Sequence, residues 1–382
     1  MEIGLIYAIG ILIISLATLG AIWYGNHVIP RLERVPPIGP GSPKVSVIVA
    51  ARNEAGKMEA AARSFLSQEY PSLEVVLIDD RSEDGTGEIV RRLARENSKL
   101  KVIEIRDLPP GWLGKNHALW RGAAEASGEY FLFSDADVLL APSALSRAMQ
   151  LVRERSLDHL AVIPHVPMKG AMLQGFMGYF TMLFAGYYQP WKAKDPRSKS
   201  FIGIGAFNLV RREAYLRMGT HERIRMRPDD DLKLGERLKR SGARQDCALG
   251  GGMVEVEWYP NLRELVRGLE KNSFSGFDYR FGKAIFYSGM ILLVSVGPFV
   301  APWFVRGTAA YVSVLAALIL LTASHSNARV HGLRFIAGIL YPLAALLFLV
   351  IIWNAIVKTL FRGGIEWRGT FYRLSDLRRS GS

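Results

Sequence analysis

Four stretches of the chain contain no Asp, Glu, Lys or Arg: residues 3–24, 284–305, 307–328 and 335–357. Each is about 22 residues long, and at ~1.5 Å rise per residue a helix of that length crosses a ~30 Å hydrocarbon core. Between the first and second stretches the pattern shortens and begins to alternate. VSVIVA (45–50), LEVVLI (73–78), Leu100–Ile105 and YFLFS (130–134) predict buried strands. Residues 59–68, 85–97 and 117–127 predict the helices between them, with Ser82 or Asp84 available to cap the second. Such alternation predicts an α/β domain with a parallel sheet and a ligand site at the strands' carboxyl ends.

A Pro/Gly-rich linker (Pro36, Pro37, Gly39, Pro40, Gly41, Pro43) separates the first apolar stretch from the first strand. The expected organisation is an anchor at 1–28, a linker at 29–44, a catalytic domain at 45–283, membrane helices at 284–357 and a basic tail at 358–382. Residues 170–191 are uncharged but glycine-interrupted and aromatic (Phe176, Tyr179, Phe180, Phe184, Tyr187, Tyr188, Trp191). They read either as a segment lying at the bilayer interface or as a core helix of the catalytic domain.

Composition sharpens this picture. The 382 residues are 49% hydrophobic yet 22% charged, with a net charge of +13. Because the charges avoid four long stretches, a single soluble domain is excluded. One cysteine, Cys247, excludes a disulfide scaffold. The basic residues crowd beside the apolar stretches (Arg31, Arg34, Lys44; Arg329, Arg334; Lys358, Arg362, Arg368, Arg373, Arg378, Arg379). That placement suits anionic headgroups and the positive-inside rule rather than nucleic acid, for which no binding signature is present. Only Glu2 precedes the first apolar run, and Arg31 and Arg34 follow it. A retained anchor fits this better than a cleaved signal peptide. The expected location is the inner membrane, multi-pass, with the catalytic domain cytosolic.

Three acidic clusters stand where a ligand site is expected. Asp79-Asp80-Arg81-Ser82-Glu83-Asp84-Gly85-Thr86 follows LEVVLI, Asp135-Ala136-Asp137 follows YFLFS, and Asp229-Asp230-Asp231 precedes a helix predicted over 232–241. Carboxylates at a buried strand end repel one another unless a cation or hydrogen-bond donors meet them. Asp-x-Asp suits a hard divalent ion shared with phosphate oxygens. Any one cluster alone also reads as a turn with capping residues.

Taken in order, PKVSVIVAARNE (43–54), VVLIDDRSEDGT (75–86), GWLGKNHAL (111–119), FSDADV (133–138) and DDDLKLGERLKRSG (229–242) resemble glycosyltransferase family 2. The similarity is to its membrane-bound branch, which includes ceramide-glucosyltransferase-like, hopanoid-associated and carotenoid glycosyltransferases. The segment GIEWRGTFYRL (364–374) resembles the end of that branch, so the likeness spans 43–374. It implies an α/β GT-A (nucleotide-diphospho-sugar transferase) domain with N-terminal and C-terminal transmembrane helices. It further implies inverting, metal-dependent transfer of a single sugar, glucose from UDP-glucose by precedent, to a lipid hydroxyl at the cytosolic membrane face. Mg²⁺ or Mn²⁺ would be the cofactor. The partners would be a UDP-sugar, a lipid acceptor and the bilayer.

By the same resemblance, Ala50, Arg52 and Glu54 line the nucleotide pocket, Asp80 contacts the base, and Lys115 lies near the ribose or diphosphate. Asp135 and Asp137 form the DxD pair, with Asp137 the principal metal ligand. Asp231 matches the catalytic base, and Asp230 stands where relatives carry Glu. The (Gln/Arg)-x-x-Arg-Trp motif of processive members is missing, which argues against the alternative of a polysaccharide synthase. Arg267 and Lys271, four residues apart, share a helix face and either replace that cationic function near the donor or form a solvated surface. The three intact acidic motifs argue against an inactive membrane scaffold. His117 and His221 read as structural, Cys247 as inert, and Gly203 and Gly205 as sites of close backbone approach near the acceptor.

Overall fold

The computed structural model describes residues 2–39 and 41–379, except for the side chains of Glu2, Lys271 and Arg379. Pro40 of the linker and residues 380–382 of the basic tail lie outside the described residues. The chain forms two compact units. One comprises Ile29–Pro167, Pro190–Glu257 and Glu366–Ser382; the other comprises Met1–Val28, Met168–Gln189 and Trp258–Ile365.

The first unit is built on the strands β1 (Val45–Ala51), β2 (Leu73–Asp80), β3 (Leu100–Ile105), β4 (Tyr130–Asp135), β6 (His159–Ile163), β7 (Asn208–Arg211) and β8 (Gln245–Leu249). They form one sheet in the order β3-β2-β1-β4-β7-β6-β8. The first four are mutually parallel, β7 runs antiparallel to both neighbours, and β6 and β8 pair in parallel. A small antiparallel pair, β5 (Val138–Leu140) with β9 (Val254–Val256), follows the DxD motif. The hairpin β10 (Gly364–Trp367) and β11 (Thr370–Arg373) closes the series. This is the mostly parallel, helix-covered sheet of the GT-A fold.

Burial explains the strand pattern. Val45, Val47, Ile48 and Val49 of β1 and Val75 through Ile78 of β2 are fully buried, as expected of a sheet covered on both faces. The helix Gly114–Glu125 lies across that sheet through Ala118, Leu119 and Ala123. It lies so close that a Cβ on Gly122 would come within 2.6 Å of Ile78 and 2.7 Å of Ile48. Only glycine permits that approach. Register then sets the motifs side by side, Ala50 opposite both Ile78 and Asp135, and Ala51 opposite Asp79.

The helices differ from expectation mainly at their starts. The predicted 59–68 is Ala55–Leu66, 85–97 is Thr86–Glu96, 117–127 is Gly114–Glu125, and 232–241 is Asp230–Arg240. Asp84, not Ser82, tends the second helix, accepting hydrogen bonds from Thr86 N (3.1 Å) and its hydroxyl (2.6 Å). Its other oxygen accepts from Ala55 N (2.9 Å), the first residue of a different helix. Loss of water is the largest single influence on the Asp84 carboxyl and would raise its pKa, but these bonds together outweigh it and hold the carboxyl below its ordinary range.

The other unit is helical. Glu2–Val28 packs with Thr308–Val330, and Ala171–Tyr188 packs with the helices Phe335–Ile339 and Tyr341–Arg362. Residues 171–188 therefore belong with the apolar helices, not with the sheet, burying Leu173, Phe176, Tyr179 and Met182 there. Several polar groups pair inside this unit. Asn327 donates to Gly178 O (3.1 Å) and Thr181 Oγ1 (2.8 Å), and the hydroxyls of Tyr179 and Tyr341 both reach Ser295. Among the described residues, four helices are long and apolar enough to cross a membrane: Ile3–Val28, Phe281–Trp303, Thr308–Val330 and Tyr341–Arg362. The second is interrupted, passing from α-helix through a π-turn (Leu292–Val296) to a 3₁₀ turn (Ala301–Trp303) around Pro298 and Pro302. Large apolar side chains such as Ile3, Ile6, Trp303, Phe304 and Phe361 face outward, as membrane association requires.

One buried contact in the sheet makes stability depend on pH. His159 on β6 is buried against Asn208 on β7, with Nε2 2.5 Å from Oδ1. Loss of water pushes its pKa down to about 4. The unfolded chain takes up this proton below about pH 6.5, whereas the folded one does so only near pH 4, so acidification favours unfolding. Thermal denaturation in detergent is expected to show stability that is complete above pH 6.5 and falls toward pH 4. His159→Gln is expected to reduce that slope.

Candidate active site

The end of β4 and the start of the helix Asp230–Arg240 bring two sequence-distant acidic motifs to one pocket. Lys115, Ser134, Asp135, Gly205, Asn208, His221, Asp230 and Asp231 line it, floored by Leu119, Phe133 and Leu234. Lys115, on the first turn of Gly114–Glu125, places Nζ 2.9 Å from Asp135 Oδ1 and 3.1 Å from Asp230 Oδ2. The charges of Asp135, Asp230 and Asp231 hold its ammonium well above the usual lysine range, outweighing the larger opposing effect of lost water. Asp231 is also pushed up, above the carboxylate range, by loss of water and by the charges of Asp230 and Asp135. Its carboxyl is therefore poised nearer neutrality than an ordinary aspartate, as a proton acceptor must be.

A single glycine joins two of these motifs. Gly205 N donates to Asp231 Oδ2 (2.8 Å), while Gly205 O accepts from Asp135 N (3.1 Å). The approach leaves no room for a side chain. A Cβ on Gly205 would lie 2.6 Å from Asp135 Oδ2, and one on Gly203 would lie 1.9 Å from Asp231 O. From the facing helix, a Cβ on Gly235 would meet Ile202 O at 1.8 Å. The segment 202–205 and the helix Asp230–Arg240 are thus interlocked backbone to backbone, so the glycines approach the acidic groups themselves.

The Gly114–Glu125 helix is also stitched to the loop that delivers the aspartates. Buried Asn116 donates through Nδ2 to the carbonyls of Ile224 (2.9 Å) and Arg227 (3.0 Å), and Leu113 N donates to Arg225 O (2.9 Å). Asp229 stands at the N-cap, but its side chain makes no capping bond. Buried Arg227 takes both its oxygens instead, Nε to Oδ1 and Nη2 to Oδ2 at 2.8 Å each. Sequence reasoning missed Asn116 and Arg227. The signal available was their position inside or beside a motif with no chemistry of their own. His221 lines the pocket, with Nδ1 2.8 Å from the Tyr215 hydroxyl, and burial and the Lys115 charge push its pKa down to about 3. It stays neutral there.

At the neighbouring strand ends, Asp137 follows β4 and has Lys57 Nζ at 3.6 Å. Loss of water, then the charges of Asp135 and Glu54, push its pKa up to about 6 despite that lysine. Among the described residues no cluster of three or more His, Cys, Asp or Glu side chains is arranged to hold an ion alone. Asp137, short of counter-charge, and Asp135 two residues before it do fit a divalent cation that takes its remaining ligands from a bound phosphate group. Asp80 is buried at the end of β2 and held by Arg81, Nε to Oδ1 at 2.7 Å and Nη2 to Oδ2 at 3.0 Å. Ala50 lies in β1 opposite Asp135. Arg52 donates to Thr370 Oγ1 (3.2 Å), and Glu54 pairs with Arg368. Ala50, Arg52, Glu54, Asp80, Lys115, Asp135, Asp137, Asp230 and Asp231 all belong to the sheet-bearing unit. Arg267 does not. It lies on Leu262–Ser273 of the helical unit, exposed and 3.7 Å from Glu264. The side chain of Lys271 on that helix is outside the described residues.

Residues 46–219 match the family described as Glycosyl transferase family 2. Over 112 residues the chain is 34% identical to a GalNAc(5)-diNAcBac-PP-undecaprenol beta-1,3-glucosyltransferase of Campylobacter jejuni, a stretch covering 29% of this chain and 35% of that protein. It thus spans about a third of that relative's length. Over 348 residues it is 24% identical to a 4,4'-diaponeurosporenoate glycosyltransferase of Staphylococcus aureus, covering 87% and 88%. Among solved structures, a mannosyltransferase from Pyrobaculum calidifontis in complex with GDP-Man and Mn²⁺ superimposes with a TM-score of 0.57 at 21% identity, covering 94% of this chain and 99% of that one. At that identity the likeness is one of fold.

The interlocked glycines give a direct test. Gly203→Ala forces a methyl group onto a carbonyl that no rotamer change can move, and is expected to destabilise the protein by at least ~1–3 kcal/mol. Thermal melts of the purified variant should show that loss, while Gly252→Ala, whose Cβ meets nothing within 4 Å, should melt like the parent.

Proposed function

We propose that this chain, whose residues 46–219 match glycosyltransferase family 2, transfers one sugar from a nucleotide-sugar, UDP-glucose by family precedent, to the hydroxyl of a membrane lipid with inversion. The observation that carries the reading is the joining of Asp135 and Asp231 through Gly205 beside Lys115. It sets a donor-side carboxylate and a raised-pKa carboxylate around one pocket. The four apolar helices, and relatives named for undecaprenol-linked and carotenoid substrates, support a lipid acceptor.

In this reading Asp231 accepts the proton of the lipid hydroxyl as its oxygen bonds to the anomeric carbon, opposite the departing diphosphate. Asp230, paired with Lys115, keeps the Asp231 proton affinity high. Lys115, Arg52 and Asp80 orient the nucleotide. Asp137, with Asp135, would hold Mg²⁺ or Mn²⁺, which when bound neutralises charge on the leaving diphosphate. Neutral His221 and the apolar floor keep water from the reacting centre. Arg267 and Lys271 remain candidates for cationic contact with the donor diphosphate.

We also propose that the sheet-bearing unit is cytosolic. The residues Glu366–Ser382 belong to that unit, so the chain between Glu257 and Glu366 must cross the bilayer an even number of times. It contains three candidate spans. Phe281–Trp303, interrupted by Pro298 and Pro302, is the one assigned an interfacial or re-entrant course.

Two measurements check these assignments. In a transfer assay with UDP-sugar and lipid extract, Asp231→Asn is expected to lose ~10²–10⁴-fold in turnover, the scale of a general base, with nucleotide affinity little changed. Asp230→Asn should lose less, and Asp137→Ala should lose stimulation by Mn²⁺. Activity of the parent should fall on the acid side at a pH well above 4, because Asp231 must be ionised and its pKa is raised. If Asp230→Asn is the inactive variant and Asp231→Asn is active, the base is misassigned. For topology, a reporter fused after Ser382 is expected to read as cytosolic, and an external reading refutes the re-entrant assignment.

A further inference from the structure

The strand pair β10–β11 is closed by a two-residue turn, Arg368-Gly369, with φ of +48° and +74°. Both values are left-handed, as a type I′ hairpin turn requires, and arginine adopts that region at a cost. A residue strained at a hairpin tip needs a reason, and its contacts supply one. Arg368 forms an ion pair with Glu54 and donates to the carbonyl of Arg52, both in the turn after β1. Thr370 accepts from Arg52 Nη1 (3.2 Å), and the Tyr372 hydroxyl accepts from Gly114 N (3.3 Å) at the start of the helix that carries Lys115. Tyr372 is buried, and Leu377 beyond it wholly so.

These contacts fall on Arg52 and Glu54, which the proposed function sets on the nucleotide side, and on Gly114, next to the pocket-lining Lys115. None displaces the central charges: Asp80 is held by Arg81, Lys115 by Asp135 and Asp230, and Asp137 has Lys57. The hairpin therefore edges the site instead of filling it. Arg52 retains an unused donor there, since its Nε is buried with no hydrogen-bond partner.

We propose that the hairpin 366–373 is the outer wall of the nucleotide pocket, with Arg368 and Tyr372 as positioning residues that fix the Arg52–Glu54 turn and the Gly114 helix start around a nucleoside diphosphate. Arg368 neutralises Glu54, which would otherwise repel the diphosphate, and holds Arg52 so that its free donor faces the nucleotide. The inference rests on the nucleotide-sugar reading above.

The test is isothermal titration of the full-length chain in detergent with UDP and with GDP, each with Mn²⁺, for the parent, Arg368→Gly and Tyr372→Phe. Arg368→Gly removes the whole side chain, guanidinium included, but suits the turn's positive φ, so its melting temperature is expected to stay near the parent's. Nucleotide binding should weaken about tenfold for Arg368→Gly and several-fold for Tyr372→Phe. In transfer assays the donor KM should rise with kcat within about twofold and the lipid KM unchanged. Unchanged nucleotide binding by both variants overturns the wall, and tighter binding overturns it in favour of an inhibitory plug. Failure of the parent to bind either nucleotide overturns instead the donor reading on which it rests. If one variant does not fold, the other decides.

Discussion

One ammonium group set among three carboxylates governs this site. Lys115 contacts Asp135 and Asp230 directly and still leaves Asp231 with its proton affinity raised. In a pocket partly withdrawn from water such imbalances persist, because neither solvent nor salt screens them. The surplus negative charge is divided in two. On one side it raises the proton affinity of Asp231; on the other, the charges of Asp135 and Glu54 and loss of water leave Asp137 short of a counter-charge despite Lys57. The balance around Asp231 depends on Lys115 staying where the Gly114–Glu125 helix puts it.

The backbone enforces that arrangement. Gly122 seats the helix on β1 and β2, while Gly203, Gly205 and Gly235 let the loop 202–205 and the helix Asp230–Arg240 meet without side chains between them. Asn116 then ties the first helix to the loop before the aspartates. The carboxylates lie on a rigid frame of strand ends and helix starts rather than on long loops, which is what precise placement of charge demands.

How much of this was legible in sequence follows from local signal. The runs VSVIVA, LEVVLI and YFLFS are continuous and β-branched or aromatic, so β1, β2 and β4 could be placed, and with them the strand-end motifs. Segments such as HLAVI, NLVR and QDCAL, which become β6, β7 and β8, are short and mixed, and only tertiary pairing makes them strands. Asp229 reads as a cap because its neighbours form a helix start. That Arg227 claims it instead is a through-space fact. The i, i+4 spacing of Arg267 and Lys271 describes one helix face and carries no information about which unit that helix joins. The partnership of Arg368 with Glu54 spans most of the chain, and no local pattern encodes it.

That last partnership bears on the order of synthesis. A chain emerging from the ribosome completes β1 through β8, and with them every acidic motif, before the helix Tyr341–Arg362 has been made. The turn at Arg368 follows that helix. Until that helix has been made, Arg52 and Glu54 lack these partners, so the nascent chain carries every acidic motif but not the hairpin that braces the turn after β1. The sequence order of the elements acts as a timer, leaving that turn unbraced until the last membrane-length helix is complete.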